Sequence, residues 1–533
     1  MKPLYLGIDA STQSMTGTVI DCVSSTVLLS ESVNFERDLP DYGTSAGVCS
    51  SAENPLEVWS YPLMWLDALE VLLGRISKLV DMKKISAISG SGQQHATVWL
   101  NSRKAFSSYD ISKSLSENIR PFLSREKSPV WMDASTSVEC REMADRAGGE
   151  KNVLRKTGSI MTERFSGAQI RKIFKSEPAV YSATQRIHLN SSFMCSALCG
   201  ADSPIDYCDG AGMNLMDIAN FSWDLDMVSA CAPNLCEKLP PLACPSSVAG
   251  NISQYFCEKY GFDRGAKVVV FTGDNPSSLV GLGASGDGVS AVSLGTSDTF
   301  FCSTKNFSPV ENAHVFCNPN GGYMGLVCFR NGSLAREKFR ELMGVDWKFF
   351  DEISFENYVP RDDGKIILPF FVDEISPKLS SDSPEFFGFS PEDSKQSRIR
   401  AFVEGQVFNI YLQAKKIGAI PKKIILTGGA SKSSGIAQTL ADVFGSEIYR
   451  LEACQNSAAL GAAIRAASFE YEMDSLESMF CPLTKAAIPR KEYSNIYTRK
   501  LGEFEKSLLP KLKDSSSLGF LRNFKGFYKL SGK

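Results

Sequence analysis

What constrains this chain most is a strand–turn–strand unit that occurs twice, far apart, with the same hydroxyl-rich chemistry in the turn. Near the start, the apolar run Leu4 to Asp9 breaks into Ala10-Ser11-Thr12 and resumes as a second β-patterned run, Thr16 to Asp21. Much later, Val289 to Leu294 breaks into Gly295-Thr296-Ser297 and resumes at Thr299 to Cys302. In both places the turn is too short for anything but a hairpin. A supersecondary unit repeated in this way predicts two related lobes facing one cleft. The boundary falls in the Gly-rich stretch Gly281 to Gly288, which gives lobes at 1–285 and 286–500 and a C-terminal extension at 501–533.

The remaining pattern fits that frame. Further β-branched runs at Ile85 to Ser89, Lys267 to Phe271, Ile366 to Pro369 and Ile424 to Thr427 alternate with helix-length amphipathic segments, so the fold class is α/β, with helices covering sheets. Leu56, Trp59, Leu63, Leu66, Leu69 and Leu73 recur at helical spacing and predict a core-facing helix between Pro55 and Leu73. A second helix is predicted over Ser394 to Lys416; its Gly405 costs about 1 kcal/mol relative to alanine and so marks close packing. Pro377 to Ser397 reads as a surface excursion. The Lys-rich tail after Arg499, with Leu508, Leu509, Phe520 and Phe524 among its charges, reads as a solvated helix face or docking extension.

Composition narrows the partners. With 43% hydrophobic and 22% charged residues the chain is far from the signature of disorder. A net charge of −3 removes any overall drive toward nucleic acid or an acidic membrane. Fifteen cysteines without a CxxC pair read as reduced, buried small hydrophobes. The first residues carry no basic leader, and no stretch approaches the ~18 apolar residues of a membrane span, so the expected location is cytoplasmic.

The turns point to phosphate. Ser, Thr and Gly in a hairpin turn converge backbone N–H groups and hydroxyls on one point, as a nucleotide's phosphates require. Asp9, at a strand end, adds a hard oxygen donor suited to Mg²⁺. There is no GxxxxGK[ST], which excludes a P-loop enzyme. The GxGxxG at Gly281 to Gly286 follows a helix start at Pro276, not a strand, and so lacks the context of a dinucleotide site. In Thr272-Gly273-Asp274-Asn275-Pro276 a strand closes and a helix opens, with Pro276 at the first helical position and Asn275 or Asp274 as its cap. Gly273 lets backbone approach a ligand, which favours function over capping for Asp274. Gln93, Gln94 and His95 gather polar groups after the strand Ile85 to Ser89, as a polyhydroxyl ligand would need. Arg164, on residue type alone, reads as one partner of a surface ion pair. No His/Cys metal cluster and no GxSxG occurs, so hydrolase chemistry has no support.

Taken together, LGIDASTQS at Leu6, SGSGQQH at Ser89, WMDAS at Trp131, TERFSGAQI at Thr162, TGDNPSSL at Thr272, SLGTSDT at Ser293 and TGGASKSSG at Thr427 resemble the FGGY family of carbohydrate kinases, its eukaryotic xylulose-phosphorylating branch most of all. The motifs run in order from Leu4 to about Arg465. The resemblance implies two actin-like (ribonuclease-H-like) lobes around a central cleft, with sugar held mainly by the first and ATP by the second. It implies Asp274 as catalytic base, and His95, Arg164, Asp274 and Asn275 as contacts to the ketopentose. Asp9 falls on the Mg²⁺ side, and Thr12 and Thr296 fall in the phosphate loops. Gly428 and Gly429 fall where adenosine meets backbone. Trp347 resembles a nucleotide-side aromatic, with a buried core tryptophan as the alternative. Ser433 stands on the same side, where relatives often carry Asn. WMDAS lacks the basic residue that many members place soon after the acid, here Asp133.

The implied activity is ATP-dependent phosphorylation of D-xylulose by a monomer or homodimer, with closure of the lobes about a hinge at Gly283 to Gly288. D-Ribulose, L-xylulose, glycerol and gluconate are rival substrates. From another class, an actin- or Hsp70-like ATP-binding module is the alternative.

Overall fold

The computed structural model describes residues 3–451 and 456–517. In the first half, β1 (Leu4–Ala10), β2 (Ser14–Asp21), β3 (Thr26–Asn34), β4 (Ile85–Gly92), β5 (Val248–Asn251), β6 (Lys267–Val269) and β7 (Thr272–Gly273) form a seven-stranded sheet. Its order is β3-β2-β1-β4-β6-β5, with β7 also paired to β4. In the second half, β8 (Val289–Leu294), β9 (Asp298–Thr304), β10 (His314–Cys317), β11 (Tyr323–Phe329), β12 (Lys423–Thr427), β13 (Glu447–Leu451) and β14 (Leu483–Ala487) form another, in the order β10-β11-β9-β8-β12-β13-β14.

The duplication therefore extends well past the two turns. Each sheet begins with three antiparallel strands, β1-β2-β3 and β8-β9-β11. Each first strand then pairs in parallel with a later one, β4 or β12, and that one with the next, β6 or β13. Each sheet carries an antiparallel strand beyond, β5 or β14. β1 is buried along its whole length, as a central strand covered on both faces must be.

Several local expectations shift. The apolar stripe forms α1 (Pro62–Ile76), which starts later than the spacing predicts because Pro62 takes the first helical turn. Leu63, Leu66, Leu69 and Leu73 are buried there, whereas Trp59 sits on a short strand, Val58–Ser60, and Leu56 is exposed. The run at Ile366–Leu368 is a strand, but it pairs with Glu385–Phe387 outside both large sheets. The excursion before the long helix is mostly solvated, though Leu379 is buried. The tail continues as a helix over Ser494–Ser517, so position 500 lies inside an element; Leu508 is buried and Leu509 exposed. Phe520 and Phe524 lie outside the described residues. Among the described residues no helix is long and apolar enough to cross a membrane.

Two helices join the halves. α2 (Asp274–Gly281) closes the first half, while α3 (Lys395–Lys416), α4 (Ser434–Phe444) and α5 (Ser457–Ala467) belong to the second. α3 is capped by Ser394, and a Cβ on its Gly405 would lie 2.2 Å from the carbonyl oxygen of Ile367, so the glycine does mark close packing. α5 leaves its own half and lies on the first sheet: a Cβ on Gly7 of β1 would lie 2.2 Å from the Ala459 carbonyl oxygen. α5 also crosses α2 with backbone against backbone. A Cβ on Gly461 would lie 1.9 Å from the Ser277 carbonyl oxygen, and one on Gly281 would lie 1.9 Å from that of Ser457. Arg465, buried on α5, donates to the carbonyls of Gly90 (3.0 Å), Pro245 (3.0 Å) and Val270 (2.7 Å) of the first half.

The linker between halves is held at its start. The Ala284 carbonyl accepts from Ser303 Oγ (2.6 Å) and that of Ser285 from Asn318 Nδ2 (2.8 Å), and both residues are buried. Of the stretch expected to hinge, Ala284 and Ser285 are packed and hydrogen-bonded, whereas Asp287 and Gly288 are exposed.

Gly461→Ala is expected to destabilise the protein by about 1–3 kcal/mol, since the added methyl meets backbone that cannot rotate away. Gly74→Ala is the control within α1: its Cβ would meet only Tyr260, at 4.0 Å, so a gain of about 0.5–1 kcal/mol in helix propensity stands unopposed. Opposite shifts in Tm check the pair.

Candidate active site

Sheet register assembles the first half of the site. Across β1, β4 and β7, Asp9 pairs with Ser91 and Ser91 with Thr272, so three parallel strands end side by side. The residues leaving these strand ends gather at one edge: Ser11 and Thr12 after β1, Gln93 to His95 after β4, and Asp274 with Asn275 after β7. Ligand sites of α/β sheets gather at such carboxyl ends.

Asp9 is buried, and its Oδ1 accepts from Ser91 Oγ (2.7 Å) while Ser11 Oγ bonds Oδ2. Burial raises its pKa, against the two hydroxyls. Asp274 is half-buried as the first residue of α2. Gly273 is the cap and Pro276 the third helical residue, two positions on from the first place expected for it, because the β7 pairing ends at Gly273. The Asp274 carboxylate accepts from the N–H of Asn275 (2.9 Å) and from Asn275 Nδ2 (3.2 Å). Its pKa is pushed up to about 7, first by burial and then by the charge of Asp9, against backbone donors. Gly273 does not leave the bare backbone that its residue type suggested. The space its Cβ would fill is taken by Gln94, whose Cγ would be 2.5 Å away.

His95 adopts left-handed backbone, φ 73°, and stacks on Phe165 with ring centroids 4.4 Å apart. Burial, and then the charge of Arg164, holds its pKa well below the usual imidazole value. Nδ1 lies 2.8 Å from the Gly212 carbonyl oxygen, which only accepts. The neutral ring therefore carries its proton on Nδ1 and presents Nε2 as an acceptor.

Arg164 makes no surface ion pair. Half-buried, its Nη2 lies 3.2 Å from Nε2 of His314 on β10, in the other half, and no carboxylate pairs with it among the described residues. His314 and the Phe165 ring, 5.9 Å from the guanidinium, are its neighbours instead. Burial, with Arg164 adding to it, pushes His314 down to about 3, so it accepts from the guanidinium as a neutral ring. Asp133 is turned to structure: Val58 N, Ser135 N, Ser135 Oγ and Gln169 Nε2 all donate to it. Residue reading missed its neighbour Trp131, 40% exposed, whose Nε1 donates to Thr12 Oγ1 (2.8 Å).

The second half repeats the geometry with different chemistry. Ser293 of β8 pairs with Thr427 of β12, so the exposed Thr296 turn and Gly428-Gly429 lie at neighbouring strand ends. Gly428 has φ 86° and a Cβ there would lie 2.6 Å from the Leu294 carbonyl oxygen, whereas one on Gly429 would meet nothing within 4 Å. Only Gly429 leaves open backbone. Asp298 after the turn is neutralised by a two-pronged ion pair with Arg336, at 2.7 and 2.8 Å. Asp9 has no such cation among the described residues. Ser433 Oγ caps α4 by accepting from Ile436 N (3.3 Å). Trp347 is 44% exposed, edge-on to Phe350 and 5.2 Å from the Arg340 guanidinium, so it is no core tryptophan.

Two lobes of one topology, joined by crossed helices, with a free carboxylate pair at the strand ends of one and open backbone at those of the other, define a phosphotransferase of the actin-like class. The model of the FGGY family of carbohydrate kinases, N-terminal domain, matches residues 124–281, and that of its C-terminal domain matches 290–469. The chain belongs to that family and is an ATP-dependent sugar kinase. It is 41% identical to xylulose kinase of Rattus norvegicus over 476 residues, 86% of this chain and 87% of the relative. Xylulose kinase 2 of Arabidopsis thaliana is 39% identical over 486 residues, 87% of each. Xylulose kinase from Rhodospirillum rubrum shares the fold at TM-score 0.80 and 19% identity, covering 96% of this chain and 100% of that one. Gluconate kinase from Lactobacillus acidophilus does so at 0.78 and 20% identity, covering 96% and 99%.

Asp9→Asn is expected to lower the pKa of Asp274 from about 7, because it removes the neighbouring negative charge and leaves burial as the main upward push. Carboxyl NMR of the two proteins across pH 4–9 reads the shift; an unchanged pKa would mean that the pair is not coupled.

Proposed function

We propose that this chain transfers the γ-phosphoryl group of ATP to the terminal hydroxyl of D-xylulose, giving D-xylulose 5-phosphate and ADP. The observation that carries the reaction is Asp274, a carboxyl at a strand end whose pKa of about 7 suits a general base at neutral pH. The choice of sugar rests on relatives named xylulose kinase at 39% and 41% identity.

Asp274 orients the hydroxyl and takes its proton as that oxygen bonds the γ-phosphorus and the bond to the ADP oxygen breaks. Nε2 of neutral His95 accepts from a sugar hydroxyl, the Arg164 guanidinium donates to a sugar oxygen, and Asn275, whose amide hydrogens go to Gln94 and Asp274, offers its Oδ1 as an acceptor to a sugar hydroxyl. The turns at Thr12 and Thr296 offer hydroxyls and N–H groups to the phosphates. Adenosine passes over Gly429, with Gly428 fixing the turn and Trp347 available as a face. Ser433 contributes by capping α4.

Asp9 suits Mg²⁺: an unneutralised carboxylate beside Ser11 and Thr12 is a set of hard oxygens. Among the described residues no cluster of three or more His, Cys, Asp or Glu could hold a metal, so the ion would share Asp9 with phosphates and water. When bound it supplies positive charge against phosphate oxygens. Closure about Gly286–Gly288 would exclude water as a competing acceptor.

Asp274→Asn is expected to lower kcat by about 10²- to 10⁴-fold with sugar affinity retained. In the unmodified protein kcat/KM for sugar is expected to fall as pH drops through about 7, because the protonated carboxyl cannot accept a proton. A variant within a few-fold of the parent removes Asp274 from the role. In an ADP-release assay with D-xylulose, D-ribulose, L-xylulose, glycerol and gluconate, the highest kcat/KM is expected for D-xylulose. A better rival displaces that substrate, and ATP turnover indifferent to every sugar overturns the kinase reading.

A further inference from the structure

Behind the sugar-side residues lies a buried polar chain with one link missing. Asp209 is 1% exposed, on a short helix, Tyr207–Gly210, that no motif singled out. Its Oδ2 shares a hydrogen bond with Ser191, while its Oδ1 has no partner. Gln94 is buried and divided in the same way: Oε1 accepts from Asn275 Nδ2 (2.8 Å), and Nε2 has no partner. The two side chains are neighbours: the Gln94 amide lies close enough to weigh on the Asp209 carboxyl, as does the charge of Asp274. Burial and the charge of Asp206 hold that carboxyl well above the ordinary range. Oδ2 accepts from the Ser191 hydroxyl, and Oδ1 stays open as an acceptor. The Gln94 amide has little room to swing: a Cβ on Gly273 would lie 2.8 Å from Nε2, and one on Gly212 would lie 3.4 Å from it. A buried donor and a buried acceptor, each unfilled, are the halves of one bond.

We propose that Asp209 is a positioning residue for phosphoryl transfer, acting through a bond from Gln94 Nε2 to its Oδ1. Gln94, so locked, holds the Asn275 amide through Oε1, and that amide donates to the Asp274 carboxylate at 3.2 Å. The same segment supplies the Gly212 carbonyl that fixes the tautomer of His95. One buried loop thus orients both the base and a sugar contact without touching the substrate. This rests on Asp274 being the group that accepts the sugar's proton.

The test is steady-state kinetics on the full chain with Asp209→Ala, Asp209→Asn, Gln94→Ala and the double variant Asp209→Ala/Gln94→Ala. Asp209→Ala is expected to lower kcat by about 10- to 100-fold, the cost of a slightly misplaced reacting group, with KM for ATP unchanged. Asp209→Asn keeps an oxygen acceptor for Gln94, while its amide can donate to the Ser191 hydroxyl oxygen, and it is expected within a few-fold of the parent. The double variant is expected to be no worse than the weaker single one, because the two residues act in series. Additive losses, an Asn variant as poor as Ala, an unaltered kcat in Asp209→Ala, or equal rises in both KM values would each overturn the relay. Should Asp209→Ala not fold, the Asn variant and Gln94→Ala read the same chain: full rescue in the first with loss of kcat in the second supports it, and any other pattern overturns it. Failure of the underlying reading is separate, since it would show as an Asp274→Asn variant within a few-fold of the parent.

Discussion

Everything at the cleft hangs on a contact with no side chain in it. α2 and α5 meet where Gly281 faces the Ser457 carbonyl and Gly461 faces that of Ser277, and α5 continues onto β1 over Gly7. Helices usually pack with axes 8–10 Å apart because side chains intervene; here glycines let backbone meet backbone. The contact brings a helix of the second half onto the central strand of the first, and Arg465 pins it there with three bonds to carbonyls. α2 is also the helix whose first residue is Asp274. The crossing that joins the lobes and the placement of the candidate base are therefore one structural fact.

The same duplication yields two different electrostatic outcomes. In the second half the acid after the turn, Asp298, is cancelled by Arg336. In the first half Asp9 has only hydroxyl partners, and Asp274 lies close enough to feel its charge. Burial first, and then the charge of Asp9, raises the cost of ionising Asp274, which is how an ordinary aspartate reaches a pKa near neutrality. His95 answers the same burial in the opposite sense and stays neutral. One half thus retains uncompensated acidity where cation and proton chemistry belong, while the other offers bare backbone and hydroxyls.

Much of this was legible in residue order. The paired turns predicted two lobes, the strand-end position singled out Asp274, and the motif series led to the family. Local misreadings had local causes. Helical spacing extended α1 back to Pro55 because Leu56 and Trp59 keep the phase of the stripe, although Pro62 sets the start. Arg164 looked like a surface cation because nothing near it in sequence tells that His314, from the other half, lies against it. Gly273 looked like room for a ligand, and the room belongs to Gln94.

By itself the sequence determined the strands, the turns, the repeated topology and the residue types at strand ends, because hydrophobic period and turn chemistry act between near neighbours. Only the tertiary structure decided which of those ends share an edge, which carboxylate keeps its charge uncompensated, and which tautomer His95 holds. Those properties come from burial and from partners far along the chain, and both exist only once the two halves have packed together.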